Sequence, residues 1–306
     1  MAIATPPLAR RKKVLGAVAE STSGTAAAVS AALGGMNVTD ARMVPEGIYE
    51  SVRQPQGHYF GTVDRTKGAQ RGRCTFSWEL TYADALLTLL PACGWPVAGA
   101  VATPSSTISA QNTLTMALWE DGRKKLLRGC SGNITIEGTN GQRVTGSGDF
   151  QGVWYTDPTD SAMPALAPIN TSPWRASTMT LTIGGAAIPL VSRFNLNLNA
   201  QVEPREDVTN ATALLHYIVT DYNPTLELDP EARLVAGHDA YGLFLAGTTG
   251  AVSIVLTDGT NTLTMACARG QRINIEDADR DGKLTDPITV ELQNSSGNDS
   301  IVFTKA

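Results

Sequence analysis

Histidine is scarce. The 306-residue chain has three, His58, His216 and His238, each isolated and none in an HxH or HExxH spacing, so zinc hydrolases and histidine-based relays have no visible support. GxSxG, P-loop and GxGxxG patterns are also missing, which removes the marks of α/β-hydrolases, nucleotide hydrolases and dinucleotide enzymes. Four cysteines, Cys74, Cys93, Cys130 and Cys267, lie far apart without a CxxC pair. They are expected to be buried thiols in a reducing compartment rather than a disulfide framework. No apolar run approaches the ~18 residues of a membrane span. The stretch after the basic residues 10–13 reaches Glu20 after six residues, too short for a signal-peptide core. The chain therefore reads as soluble, without a membrane partner. Charge is sparse, at 17% of residues, with 24 Lys and Arg against 29 Asp and Glu. A net charge of −5 disfavours a protein that grips nucleic acid, which needs basic patches, yet it is compatible with DNA passing without sticking. Long Leu/Glu/Lys-rich stretches are absent, which disfavours a helical bundle.

What remains is β-like. Hydrophobic residues make up 42%, with 29 Gly and 16 Pro, enough for a sizeable core joined by many turns. The length is about twice a common domain of roughly 100–150 residues. The pattern predicts an arm over residues 1–35, one β domain over 36–165 and a second over 166–306, with the Pro/Thr/Ser/Ala-rich residues 156–177 as linker. Residues 74–80 alternate apolar and polar as a strand does. The Thr81-Tyr82-Ala83-Asp84 sequence then resembles a capping box in which Thr81 accepts a backbone N–H, opening a short helix that Pro91 and Gly94 close. Further strands are expected at 113–118, 133–137 and 144–155, with a hairpin turn at Asn140-Gly141. Asp229-Pro230-Glu231 has the form of a helix start.

Two landmarks recur. The hexapeptide NTLTMA occurs at residues 112–117 and 261–266, and the strand-into-helix units beginning at Thr75 and Thr225 are separated by nearly the same offset. Self-similarity at one spacing implies one fold unit written twice.

Candidate sites are few. Asp277, Asp279, Asp281 and Gly282 match the first positions of a calcium loop, but position 12, which should be glutamate, is Ile288. Calcium is thus the one conceivable cofactor, against an Asx-rich turn. Asn195, Asn197 and Asn199 alternate with Phe194, Leu196 and Leu198. They present a polar, uncharged face, which is either an ordinary solvent side or the lining of a channel along which a polyanion slides.

The chain resembles the tail tube (major tail) proteins of long-tailed bacteriophages over most of its length. The resemblance is carried by residues 13–25 with their EST-SGT sequence, 73–95, 127–158 (LLRGCSGNITIEGTNGQRVTGSGDFQGVWYTDP), 191–230 and 279–303. It implies a non-enzymatic structural protein of the virion tail, assembled in the host cytoplasm. It also implies a mainly β chain made of two tandem β-sandwich or barrel domains, each with a short flanking helix. Their rings would stack into a conduit for the genome, with tape-measure, tail-terminator and distal tail proteins as partners. With two tube domains per chain, a trimeric ring of pseudo-six-fold symmetry is favoured over a hexamer. The long polar stretch 45–72 would reach an adjacent ring through Arg53, Asp64, Arg65, Lys67, Arg71 and Arg73. A secreted or surface adhesin or carbohydrate-binding module is the alternative, supported by Trp95, Trp119, Trp154 and Trp174 if these are exposed.

Overall fold

The computed structural model describes residues 8–9, 11–34, 36–47, 49–50, 65–166, 172–188 and 190–306. The protein is mainly β, and its strands fall into two successive sets. The first comprises β1 (Lys13–Ala19), β2 (Val38–Glu46), β3 (Arg71–Glu79), helix α1 (Leu86–Leu89), β4 (Leu114–Glu120), β5 (Arg123–Thr139) and β6 (Thr145–Val153). The second comprises β7 (Thr180–Ile183), β8 (Val191–Asn197), the hairpin β9 (Ala200–Glu206) and β10 (Leu214–Tyr222), and β11 (Thr225–Pro230). It continues through α2 (Ala240–Leu245), β12 (Thr249–Thr257), β13 (Thr262–Ile275) and β14 (Ile288–Gln293), and β15 (Val302–Lys305) ends the chain.

All principal pairings are antiparallel. In the first set the hydrogen-bonded order is β2–β3–β6–β5–β4–β1. In the second it is β8–β11–β14–β13–β12–β7. The two orders are the same topology, with the helix inserted at the same place. The landmark at Thr75 and Thr225 falls on the corresponding strands β3 and β11. The hexapeptide does not mark corresponding positions: its first copy runs into β4, whose counterpart is β12, and its second into β13. The two copies even differ in burial: β4 is buried on both faces, whereas the start of β13 alternates, so the match reflects composition rather than position.

Two strand pairings join the sets: Phe303 and Thr304 of β15 lie opposite Ala102 and Val101, after α1, and the longer pairing is between β5 and β8. β5 lies beside β8, with Arg193 opposite Thr139, Asn195 opposite Glu137 and Asn197 opposite Thr135. The apolar core is correspondingly continuous, containing Phe76, Trp78 and Phe150 together with Phe194, Ile254 and Phe303. Small residues make the strand faces fit. A Cβ on Gly146 would lie 2.5 Å from the Trp78 ring and one on Gly148 2.9 Å from Phe76. The Gly146-Ser147-Gly148 run is therefore a small-residue strand position.

Several local expectations change. The N-terminal region is not a loose arm over 13–33, because β1 pairs with β4 and Val14, Leu15, Val29 and Leu33 are buried. The four tryptophans named above are buried, with Trp95 and Trp174 fully so, which removes the exposed aromatics on which an adhesin reading drew. Within the expected linker, Trp174 donates its backbone N–H to Leu80 and accepts from Val144. Pro230 ends strand β11 instead of starting a helix. The helix begins ten residues later, where Asp239 caps it by accepting from Gly242 N at 2.7 Å.

The N-cap position of α1 is Ala85, which makes no side-chain cap bond, and the turn before it is held by the carboxylate of Asp84. One carboxylate oxygen accepts from Trp78 Nε1 at 3.2 Å and from Thr81 N at 3.3 Å, and the other accepts from Leu86 N at 3.2 Å. That second oxygen also meets Lys305 Nζ at 2.5 Å, and the ammonium donates further to the carbonyls of Tyr82 and Asp84. The final strand is thus tied to the first helix by an ion pair whose side chains are almost wholly buried. Removing one partner of such a pair leaves the other charge buried and unsatisfied. Asp84→Ala is expected to cost about 3–5 kcal/mol of subunit stability, measured by denaturant unfolding of the unassembled chain.

A polar sheet face as the candidate functional surface

Strand alternation sorts the side chains of the joined sheet onto two faces. Cys74, Phe76 and Trp78 of β3 turn into the core, whereas Arg73, Thr75, Ser77 and Glu79 turn away. The pattern recurs on β6 with Ser147 and Asp149, on β5 with Asn133, Thr135 and Glu137, and on β8 with Asn195 and Asn197. It continues on β11 with Thr225 and Glu227 and on β14 with Thr289 and Glu291. The result is one polar face running across both strand sets.

Its charge is mixed. Arg42, Arg71, Arg73, Arg193 and Arg269 stand among Glu46, Glu79, Glu137, Asp149, Glu227 and Glu291. Arg73 Nε donates to Asp149 Oδ1 at 2.7 Å and a second guanidinium nitrogen binds the other oxygen. Asp149's hydrogen bond and charge together hold the guanidinium above its ordinary pKa. Arg71 pairs with Glu206 at 3.1 Å, and Arg143, from the turn, pairs with Glu79. Among the described residues, Glu137, Glu227 and Glu291 have no cation within ion-pair distance. A surface that held DNA would carry an excess of cations to neutralise phosphates; here five arginines stand among six carboxylates.

The three asparagines do not form one row. Asn195 and Asn197 lie on the polar face, and Asn197 Oδ1 accepts from Asn133 Nδ2 at 2.8 Å across the β5–β8 join. Asn133 in turn accepts from the backbone of Ala200 at 3.0 Å. Asn199 lies beyond the end of β8 with φ of 49°, and its amide donates to Asn223 O and Thr225 Oγ1, both at 2.9 Å. It fixes a turn. The role of Asn133 was invisible beforehand, because strand periodicity does not say which strands become neighbours.

Of the residues read as reaching an adjacent ring, Arg53 and Asp64 lie outside the described residues. Arg65 and Lys67 are exposed, whereas Arg71 and Arg73 hold the ion pairs above, within the chain.

The acidic loop is a hairpin. Residues Ala278–Arg280 pair with Lys283–Thr285, and the turn is made by Asp281 at φ 54° and Gly282 at φ 76°. Asp279 accepts from Gly282 N at 3.0 Å, while Asp277 accepts from the Tyr241 hydroxyl at 2.5 Å. That carboxylate pushes the Tyr241 phenol up to about 12. The acids thus serve separate contacts, and among the described residues no three His, Cys, Asp or Glu side chains converge as metal ligands. The thiols are equally unsuited to chemistry: burial pushes Cys74 up to about 12 and Cys93 higher still, so neither forms a thiolate near neutral pH. Added calcium is expected to leave the thermal midpoint unchanged; a rise with calcium but not magnesium would contradict the hairpin reading.

The polar face stops at two open edges. Among the described residues β2 pairs only with β3, and residues 272–275 of β13 pair only with β14. No described helix is long and apolar enough to cross a membrane.

No curated protein matches the chain. A family model described as phage tail tube protein matches residues 11–295, nearly the whole length and both strand sets. The chain, a β-rich protein with a polar sheet face running across both strand sets, belongs to the phage tail tube protein family.

Proposed function

We propose that the protein self-assembles into rings that stack into a tail tube, the conduit for the phage genome. The observation that carries this reading is the join between β5 and β8. It places the edge of one strand set against the start of the next, and the chain leaves the same two kinds of edge open at its ends. The distal part of β13 corresponds to the part of β5 used in the join, and β2 corresponds to β8. Pairing β13 of one copy with β2 of the next repeats the internal join and removes both edges, which an isolated sheet would leave as aggregation sites. A heterologous contact of this kind closes into a ring when its rotation divides the circle.

Each chain then brings two quasi-equivalent units, residues 36–165 and 166–306, with β1 completing the first. Three chains give pseudo-six-fold symmetry. A hexamer with the second unit held outside the barrel is the alternative, and the shared polar face of the two units favours the trimer. The balanced, hydroxyl- and amide-rich face lines the lumen in this reading, so that DNA passes without being retained. The protein has no catalytic role. Its remaining partners are the tape-measure, tail-terminator and distal tail proteins, and its charges at Arg53, Asp64, Arg65 and Lys67 face the adjacent ring. It is assembled in the host cytoplasm and ends in the virion tail.

Electron microscopy of the purified protein across a concentration series tests the reading. Rings and stacked tubes are expected at high concentration, whereas a monodisperse monomer at every concentration would contradict self-assembly.

A further inference from the structure

Each strand set has a groove between the two strands that end its hydrogen-bonded order. In the second set this groove is closed. Gly138 and Asn140, from the end of β5 and the turn after it, enter between the residues before β7 and the start of β8. A remnant of only about 20 Å³ is left, lined also by Ala176, Met179, Ser192 and Phe194. The contact is hydrogen-bonded as well as packed: Asn140 donates its backbone N–H to Ser192 O at 2.7 Å, and Ala176 donates to Gln142 O at 3.2 Å.

In the first set the corresponding groove is open. It measures about 720 Å³ and is lined by Arg11, Lys13 and Leu15 on one side and by residues 38–42 of β2 on the other. Three cations, Arg11, Lys13 and Arg42, thus line it against one acid, Asp40. Lys13 lies 3.6 Å from Glu120, whereas Arg11 and Arg42 are exposed and make no ion pair among the described residues.

The turn that fills the closed groove connects β5 to β6. Its counterpart in the second set connects β13 to β14, over residues 276–287. Glu276 donates its N–H to Pro287 O just before β14, as Glu137 faces Thr145 at the start of β6. This second turn is longer and acidic. Its cations Arg280 and Lys283 are held by Asp229 and Glu231. Glu276, Asp279 and Asp281 are exposed and meet no cation among the described residues. Glu276 accepts only locally, from Asn274 at 2.9 Å, and Asp279 from Gly282 N at 3.0 Å.

The strand registers fix how such a turn would meet the open groove. Thr39 and Arg42 lie opposite Ser77 and Thr75, as Asn195 and Asn197 lie opposite Glu227 and Thr225. Within the chain Asn195 pairs with Glu137. Repeating that pairing between copies sets Glu276 opposite Thr39 and diagonal to Arg42, within reach of a long side chain.

We propose that the acidic turn 276–287 of one copy enters the basic groove between β1 and β2 of the next copy in the ring. Glu276 stands beside Arg42, and the tip at Asp279 and Asp281 points toward Arg11. This rests on the ring reading above and deepens it, because opposite charges steer the encounter and fix the register of the sheet-edge contact. The acids that resemble a calcium loop then take arginine rather than a metal ion.

Assembly of the full chain, followed as the concentration at which half of it is in rings, tests this. Arg11→Glu with Arg42→Glu sets like charges against the turn and is expected to raise that concentration about tenfold. The monomer's thermal midpoint should hold, since both side chains are exposed. Glu276→Gln, Asp279→Asn and Asp281→Asn together keep the turn's hydrogen-bond acceptors and remove its charge. In that background the groove reversal should cost less than about threefold, because coupled sites are not additive. A groove reversal without effect, or with the same effect in both backgrounds, would overturn the clasp and leave the ring reading standing. So would variant rings that form normally but fail to stack, which would place the turn against the adjacent ring. Absence of rings from the unmodified chain at every concentration would overturn the ring reading and the clasp together.

Discussion

The unpaired edge of a β-sheet is the constraint on which the rest of this structure depends. A strand with one satisfied side presents a row of N–H and C=O groups that must find water or another strand. Within the chain, the edge of the first strand set is satisfied by the second at the β5–β8 join, and the Asn133–Asn197 pair stitches it. The same topology written again then regenerates the same problem one unit further along. A protein that solves an edge by copying itself has no natural stopping point except closure.

The proposed ring also accounts for the division of side chains. The core face carries large aromatics against small glycine positions, which fixes the curvature and spacing of the strands locally. The opposite face carries hydroxyls, amides and charges in near balance. Such a face lacks the cation excess that holds a polyanion, and among the described residues no three acids, thiols or histidines converge as metal ligands. In the proposed tube it is the edges and this face that do the work. The two units are not finished alike. The first has its Asp84 tied to the last strand through Lys305 and its groove between β1 and β2 open. The second has the corresponding groove filled by Gly138 and Asn140.

Much of this was legible in the sequence. Alternation located β3, β5, β6 and β8, and Pro91 and Gly94 closed the first helix as their backbone preferences require. The recurrence at Thr75 and Thr225 falls on strands of like place in the strand order, whereas the more conspicuous hexapeptide does not, because a Thr/Leu/Met sequence suits strands of quite different burial. Asp229-Pro230-Glu231 misled for a related reason. A proline at a strand end and one at a helix start have the same local signature, and tertiary pairing with Val191 decided between them. The candidate face was read only at Asn195 and Asn197. Its other members come from strands distant in sequence, and which strands become neighbours is set by topology that local patterns do not encode. Tryptophan burial was missed because an isolated Trp in a turn-rich segment carries no periodicity to show which way it points.

The central claim is that each chain supplies two quasi-equivalent units to one ring, so that ring stoichiometry follows from the internal join. The mass of a single ring, measured by native mass spectrometry, tests this most directly. The account predicts three chains of 32.3 kDa each per ring; a ring of six chains would contradict it.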